Sequence, residues 1–449
     1  MDEQRTLADA ARRALAYVDA VDDRPVFPGA AAVDALAGFD ELLPEHGAGV
    51  ADTLRLLDEA GSPATVASTG GRYFGFVTGG SHPAALGSAW LAAAWDQNAA
   101  LPVMSPVAAR LHDVARRWVL DLLGLPPASA LAFVTGATVA NATCLAAARD
   151  ALLAREGWDV QADGLFGAPP VTVVVGAHAH STLSKSLGLV GLGRSRVTVV
   201  PADDQGRIRA DALPDVSGPV LLCAQAGEVN TGAFDDFERL ADWAGRHRAW
   251  LHVDGAFGLW ALADPGRASL VAGLARADSW ATDGHKWLNI GYDCGLAVVR
   301  DPAALRRTFS ATAGYLPPDD RFEAMHHTPQ SSQRARQVEV WAVLRALGRD
   351  GVAALVQDSC ACATLIAERL RAGGLTVLND VVLNQVLVRD RDAAATTALL
   401  ERVHADGRIW CGPTTWQGEP AIRVSVSSWR TTRDDARLAA DVLLELAGR

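Results

Sequence analysis

Leu131–Arg149 reads LAFVTGATVANATCLAAAR. Its opening residues, Leu131 to Val134, are apolar on both faces and have the length of a short buried strand. Thr135-Gly136-Ala137-Thr138 is a turn, and a helix begins there. The pattern repeats along the chain. Short apolar runs at Leu131–Val134, Val171–Val175, Val197–Val200, Pro219–Cys223, Trp250–Val253, Ser279–Thr282 and Leu296–Val299 alternate with longer helical stretches. Strands of that kind, separated by helices, form a mostly parallel sheet covered on both sides, so the fold class is α/β.

The flanks differ from this pattern. Residues 1–60 have apolar stripes but no strand, which predicts an N-terminal helical arm; Met1–Ala20 alternates charged residues with alanines as an amphipathic helix. Gly70–Ser81, GGRYFGFVTGGS, suits a loop lining a pocket. Past Thr328, helices are expected at Arg334–Leu347, Val352–Ala372, Ala393–Ala405 and Arg433–Leu446, with strands at Val382–Val388 and Ala421–Val426. The expected organisation is an arm at 1–60, a large domain at 61–328 and a small C-terminal α+β domain with an antiparallel sheet at 329–449.

Composition narrows the classes of function. With 449 residues, 49% apolar and 21% charged, the chain is globular and can bury an extensive core. A net charge of −11 opposes binding to phosphate backbones, so no nucleic acid is expected as partner. No apolar run is read as spanning a bilayer, and the expected location is cytoplasmic. The six cysteines lie in apolar patterns with no CxxC pair and read as buried thiols rather than disulfides or a zinc site.

Chemistry concentrates at the ends of the apolar runs. The turn Gly136-Ala137-Thr138 offers free helix-start amides and a hydroxyl to a phosphate, or is an ordinary glycine turn with Thr138 as N-cap. In HVDGAFG (His252–Gly258), Asp254 closes a buried strand, where a carboxylate needs either a cationic ligand group or an arginine. In TDGHKWLN (Thr282–Asn289), Lys286 follows another strand; a lysine in an apolar pocket gives up its proton and becomes a nucleophile. The chain has only two lysines, Lys185 and Lys286, and Lys286 has the better context for a Schiff base. His180, in HAHSTLSKSLG (His178–Gly188), could stack on a flat ligand or be structural; a metal reading of His178 and His180 lacks further ligands. The glycines of GLVGLG (Gly188–Gly193) follow a helix and precede a strand, the wrong order for a dinucleotide loop. Arg423, in AIRVSVSSW (Ala421–Trp429), could hold a carboxylate bidentately or form a structural ion pair.

In this order T-G-A-T, H-S-T-x-x-K-S, H-V-D-G-A and D-G-H-K-W resemble the motifs of group II decarboxylases dependent on pyridoxal 5'-phosphate (PLP), a fold type I family of the aspartate aminotransferase superfamily. SPVAARL, DLLGLP and SQRARQVEVWAVLRALGRDG extend the similarity from about Gly70 to the C-terminus. The resemblance implies a seven-stranded large domain, a homodimer, PLP as cofactor and an amino acid as substrate. Lys286 would carry the internal aldimine, Asp254 would pair with the pyridine nitrogen, and Ala256 would pack beneath the ring with His180 on the opposite face. Gly136, Ala137 and Thr138 would hold the phosphate with His285 close by, and Thr78 matches a position that contacts the substrate carboxylate.

The chain departs from the pattern at several points. Val139 stands where Glu is usual, Gly227-Glu228-Val229 where Gly-Thr-Thr is usual, and the loop from Tyr315 to Gln333 has no central tyrosine to protonate the quinonoid carbon. Phe322, His326 and His327 are the side chains available; either His326 or His327, reaching across a dimer interface, replaces the tyrosine as general acid, or both are solvated loop residues. The implied reaction is amino acid decarboxylation. The rivals are an aminotransferase, an aldolase-type lyase, a decarboxylating oxidative deaminase, or a non-catalytic relative.

Overall fold

A computed structural model describes residues 3–311 and 322–449. After the arm, the chain forms a two-residue strand β1 (Tyr73–Phe74), and then β2 (Ala130–Val134), β3 (Thr172–Gly176), β4 (Val197–Val200), β5 (Val220–Gln225), β6 (Trp250–Asp254), β7 (Ser279–Asp283) and β8 (Gly295–Val299). Strands β2 to β8 make one seven-stranded sheet in the order β2-β8-β7-β6-β5-β3-β4. Only β8 runs against its neighbours, so the sheet is mostly parallel, as expected.

The two faces of this sheet explain why its strands are apolar throughout. Leu131, Phe133, Leu251, Val253, Leu296 and Val298 enter one core. Their neighbours Ala130, Ala132, Val134, Trp250, Ala297 and Val299 enter another, against the helix Ala137–Arg155. Side chains alternate across a strand, so covering both faces requires both sets to be apolar.

The small domain contains β9 (Thr376–Val377), β10 (Gln385–Arg389), β11 (Trp410–Trp416) and β12 (Glu419–Ser425). Its sheet runs β1-β11-β12-β10-β9 and is antiparallel except that β1 lies parallel to β11. Strand β1 therefore leaves the segment 61–328, assigned from sequence to the large domain, and becomes an edge of the small sheet. Two residues carry no periodicity, and Gly412-Pro413 inside β11 hides a strand that pairs regardless.

The helix Gln337–Ala372 joins the domains and is broken at Gly348, whose φ of 63° only glycine adopts freely. One 18-residue window of it reaches a mean hydropathy of 1.2, long and apolar enough by composition to cross a membrane, which the sequence reading did not anticipate. In the fold it is a core helix: Val340, Val343, Val352 and Val356 are buried against the large domain and Ile366 and Leu370 against the small one.

A single side chain ties three segments together. Asn289, buried and at a φ of 56° that asparagine tolerates, accepts the Gly80 amide (2.7 Å) and the Trp429 amide (2.9 Å) on Oδ1. Its Nδ2 donates to the carbonyls of Trp287 (2.8 Å) and Ser427 (3.0 Å). The glycine-rich loop, the lysine turn and the small domain meet there. Replacing Asn289 with Ala leaves these backbone groups unpaired at a cost of about 3 kcal/mol or more, and the thermal midpoint should fall by several degrees. A midpoint within about 1 °C of wild type would show that the junction does not depend on it.

Candidate active site

The carboxyl ends of β2, β3, β6 and β7 bring the chemistry-bearing residues together, the edge at which open α/β sheets bind ligands. β2 leads to Gly136, Ala137 and Thr138; β3 to His178 and His180; β6 ends on Asp254 before Ala256; β7 ends on Asp283 before His285 and Lys286.

Lys286 extends from the turn after β7 with its Nζ 2.8 Å from Asp283 Oδ2. Lys185, the other lysine, is exposed on the helix Ser181–Leu189. The other Asp283 oxygen accepts the Ala137 amide at 2.5 Å, so one carboxylate links the lysine to the start of the helix Ala137–Arg155. His285 accepts the Cys294 amide on Nδ1 (3.2 Å), and burial lowers its pKa. The proton of the neutral ring therefore sits on Nε2, which lies 3.6 Å from Asp283 Oδ1.

Gly136 is the N-cap of that helix, with no side-chain cap, and Thr138 lies inside the first turn; the N-cap role considered for Thr138 is not the one it has. A Cβ on Gly136 would lie 3.0 Å from His285 Cε1, and one on Gly295 only 2.5 Å from the Gly136 backbone. These glycines let the turn, the imidazole and β8 close up around the first-turn amides, which no carbonyl of the helix can satisfy. Amides at the positive end of a helix beside an imidazole N–H are a donor set suited to a phosphate dianion.

Asp254 is 5% exposed and makes no ion pair among the described residues. Its Oδ2 accepts Asn141 Nδ2 (3.1 Å) and its Oδ1 accepts the Ala256 amide (3.2 Å). Burial pushes its pKa up, opposed by the charges of His180 and Lys286. His180 caps the helix Ser181–Leu189, accepting the Thr182 amide on Nδ1 (3.3 Å), which leaves the proton on Nε2. Burial lowers its pKa and Asp254 opposes that shift. An amine that can bond an aldehyde, a buried carboxylate for a pyridinium nitrogen, a neutral imidazole and a phosphate cradle together fit PLP.

The comparisons with known proteins agree. Residues 64–388 match the model of the pyridoxal-dependent decarboxylase conserved domain. The chain belongs to this decarboxylase family, and its cofactor is PLP. It is 30% identical to histidine decarboxylase of Drosophila melanogaster over 355 residues, 74% of this chain and 41% of that protein. It is 29% identical to L-2,4-diaminobutyrate decarboxylase of Rhizobium meliloti (strain 1021) over 374 residues, 79% and 72% of the two chains. The match spans about half the length of several other curated relatives, including 53% of the acidic amino acid decarboxylase GADL1 of Bos taurus. Among solved structures, that of Oryza sativa TDC with PLP and tryptamine superimposes with a TM-score of 0.92 at 22% identity, covering 100% of this chain and 98% of that one.

Other residues of this decarboxylase-family chain are placed less directly. Thr78 sits in the glycine-rich loop beside Gly79, where a Cβ would lie 1.8 Å from the Lys286 carbonyl oxygen, so only glycine lets the loop cross the lysine turn. Arg423, 9% exposed, donates to the Val229 carbonyl at 3.4 Å and has no partner for its Nε among the described residues. It forms no ion pair there, contrary to the structural reading. Glu228 accepts the amides of Asn230 (2.7 Å) and Thr231 (2.8 Å), an anchoring role in its own turn. His178 lies against Trp416, with ring centroids 4.8 Å apart, and no metal-binding cluster occurs among the described residues. Asn141 was missed from sequence, although a lone amide one helical turn after Ala137 in an alanine-rich helix is a usable signal.

Tyr315 lies outside the described residues. Phe322 is stacked between His112 (3.9 Å between centroids) and His327 (4.1 Å). His327 is buried, its Nδ1 bonds the Glu323 carbonyl (2.8 Å), and burial lowers its pKa to about 4. His326 is buried too, with its Nε2 3.1 Å from Glu323 Oε2. Both imidazoles pack on their own chain. The expected proton donation across a dimer interface is thus not supported for His327, which is unprotonated at neutral pH.

Borohydride reduction of the holoenzyme should fix the cofactor on the peptide containing Lys286 and leave Lys185 unlabelled; label on Lys185 reassigns the site. For His327, a folded value below the usual 6.5 means stability that is present above about pH 6.5 and lost as pH falls toward about 4, amounting to about 3 kcal/mol. His327→Phe should lose less stability than wild type over that interval in denaturant melts, and parallel losses would show that the imidazole is not held neutral.

Proposed function

We propose that the chain is a PLP-dependent amino acid decarboxylase, a carboxy-lyase that works as a homodimer in the cytoplasm. The observation that carries the reading is the placement of Lys286, with Asp283 beside it, near the buried carboxylate of Asp254, which has no ion-pair partner among the described residues.

When bound, PLP supplies an electron sink for the bond broken at the substrate's α-carbon. Lys286 would hold the cofactor covalently, with Asp283 Oδ2 at 2.8 Å positioning its Nζ. The helix start at Ala137 and Thr138, where the Ala137 amide already serves Asp283, would bind the phosphate together with His285, and Gly136 gives them room. Asp254, held by the Ala256 amide, would keep the ring nitrogen protonated, Ala256 would pack against the ring, and His180, whose Nδ1 accepts the Thr182 amide, would present Nε2–H to the substrate. Thr78, carried over the lysine turn by its loop, is suited to a substrate carboxylate.

Dimerisation is supported by the apolar side chains Trp90, Leu91 and Trp95 exposed on the helix Pro83–Trp95, and by a groove of about 460 Å³ between that helix and the arm, lined by Tyr17, Val21, Leu54, Leu57 and Leu86. The cytoplasmic assignment is supported by six free, buried thiols.

A decarboxylating oxidative deamination is the second reading, favoured by one observation: Phe322, His326 and His327 are packed on their own chain, and none of them is a phenol. A panel of amino acids assayed for carbon dioxide, amine, aldehyde and oxygen uptake separates the two. Equimolar carbon dioxide and amine, independent of oxygen, is the expected outcome. Aldehyde with oxygen consumption establishes the second reading, and ketoacid without carbon dioxide overturns both.

A further inference from the structure

On the face of β6 that meets the helix Ala137–Arg155, the alternate residues Trp250, His252 and Asp254 point the same way, and the last two are polar in an otherwise apolar core. A polar row there is costly unless every group is paired. Here the row is paired in sequence. Trp250 Nε1 lies 2.9 Å from Ser279 Oγ, which lies 2.9 Å from His252 Nδ1. His252 Nε2 lies 2.8 Å from Asn141 Oδ1, and Asn141 Nδ2 lies 3.1 Å from Asp254 Oδ2. His252, Asn141 and Ser279 are each 0% exposed, so water cannot substitute for any of these bonds.

With Asp254 ionised, only one arrangement of hydrogens satisfies the chain. The indole nitrogen can only donate, so Ser279 accepts from Trp250 and is free to donate its own hydrogen to His252 Nδ1. Burial lowers the pKa of His252 to about 3, so the ring is neutral and its single proton is on Nε2, which donates to Asn141 Oδ1. That fixes the amide so that Nδ2, not Oδ1, faces Asp254. The reversed amide would set two oxygens against each other at the carboxylate. Each donor also polarises the next, strengthening the final bond.

We propose that Asn141 and His252 are positioning residues for the cofactor's ring nitrogen: they hold Asp254 ionised and oriented, so that it keeps that nitrogen protonated. This rests on the reading that Asp254 faces the ring nitrogen. A hydrogen bond to the charged form of a buried carboxylate favours that form, which burial alone would oppose. The other titratable groups whose charge bears on Asp254 are His180, Lys286, Cys144 and Cys223; the two thiols are kept protonated by burial. None of them is changed in the test.

The test is the ring-nitrogen chemical shift of holoenzyme loaded with 15N-labelled PLP, followed against pH, with kcat and KM measured alongside. Wild type should show a protonated ring nitrogen at neutral pH. Asn141→Leu and His252→Met should move the protonation equilibrium by about tenfold or more toward the neutral ring, lowering kcat with little change in KM. His252→Gln, whose amide can donate to Asn141 Oδ1, should restore the wild-type signature; a merely structural role predicts no such rescue. If Asn141→Leu does not fold, the contrast between His252→Met and His252→Gln decides one bond further out, and Ser279→Ala one bond beyond that. A protonated wild-type ring that stays protonated in every folded variant overturns the proposal and leaves the Asp254 reading intact. A neutral ring in the wild type overturns that reading and the proposal with it.

Discussion

A carboxylate removed from water with no cation bonded to it among the described residues is the constraint around which this molecule is arranged. An isolated ion in a protein interior costs several kcal/mol unless it is paired or well hydrogen-bonded. Another of the buried aspartates shows the alternative. Asp235 accepts the amides of Ile208 and Gln225, both at 2.7 Å, and burial pushes its pKa to about 6. Its oxygens are directed inward at backbone, and it serves the loop geometry after β5. Asp254 differs because its partners are a side-chain amide and the amide of Ala256, while His180 and Lys286 act on it only at a distance. A carboxylate held in that way favours a positive group brought in from outside.

The small domain reaches the same place through aromatic stacking. Trp410, at the start of β11, stacks on Tyr73 (5.0 Å between centroids) and His404 (5.1 Å) and meets Phe76 at 5.2 Å. These contacts hold a loop in which Phe76 and Val77 both have positive φ, 52° and 57°, a conformation that costs non-glycine residues about 1 kcal/mol or more each. The strain is local, and the contacts that offset it come from the other domain. As a result the loop arrives at Gly79 close enough to the Lys286 carbonyl to exclude any side chain there. Small-domain packing and site geometry are therefore one problem, because Trp410 packs on the loop that carries Thr78.

Much of this was legible in the sequence because the physical signals are local. The strands of the large sheet are apolar on both faces and flanked by helices, and each was read to within about two residues at either end. The lysine turn could be read because a chain with two lysines leaves little choice. The parts that escaped depend on partners far away in sequence. Strand β1 is two residues long and exists only because β11 pairs with it 337 residues later, Tyr73 with Trp410. Asn141 looks like an ordinary polar residue in a helix until β6 places His252 and Asp254 beside it. The histidines after Phe322 look like loop residues, since nothing in their own segment shows that Phe322 will stack between His112 and His327 and that both histidines will be buried.

The departure at Glu228 illustrates how such a chain keeps its fold while changing its field. The carboxylate does the structural work locally, taking the Asn230 and Thr231 amides and the Asn230 side-chain amide (3.0 Å), so the turn remains saturated. Asn230 in turn accepts the Thr414 hydroxyl of β11 (2.7 Å), which fixes the turn to the small domain. A threonine pair could satisfy a turn with hydroxyls, but it would bring no charge. Glu228 does, and its charge raises the pKa of the buried Arg423 against the lowering effect of burial. The guanidinium can thus remain ionised among apolar neighbours without a direct ion pair. Both Glu228 and Arg423 act electrostatically on His180, in opposite directions, more weakly than burial, Asp254 and Lys286 do. Removing the glutamate would leave the turn's amides and the arginine uncompensated at once, which is why this position cannot be read as a simple exchange of one polar residue for another.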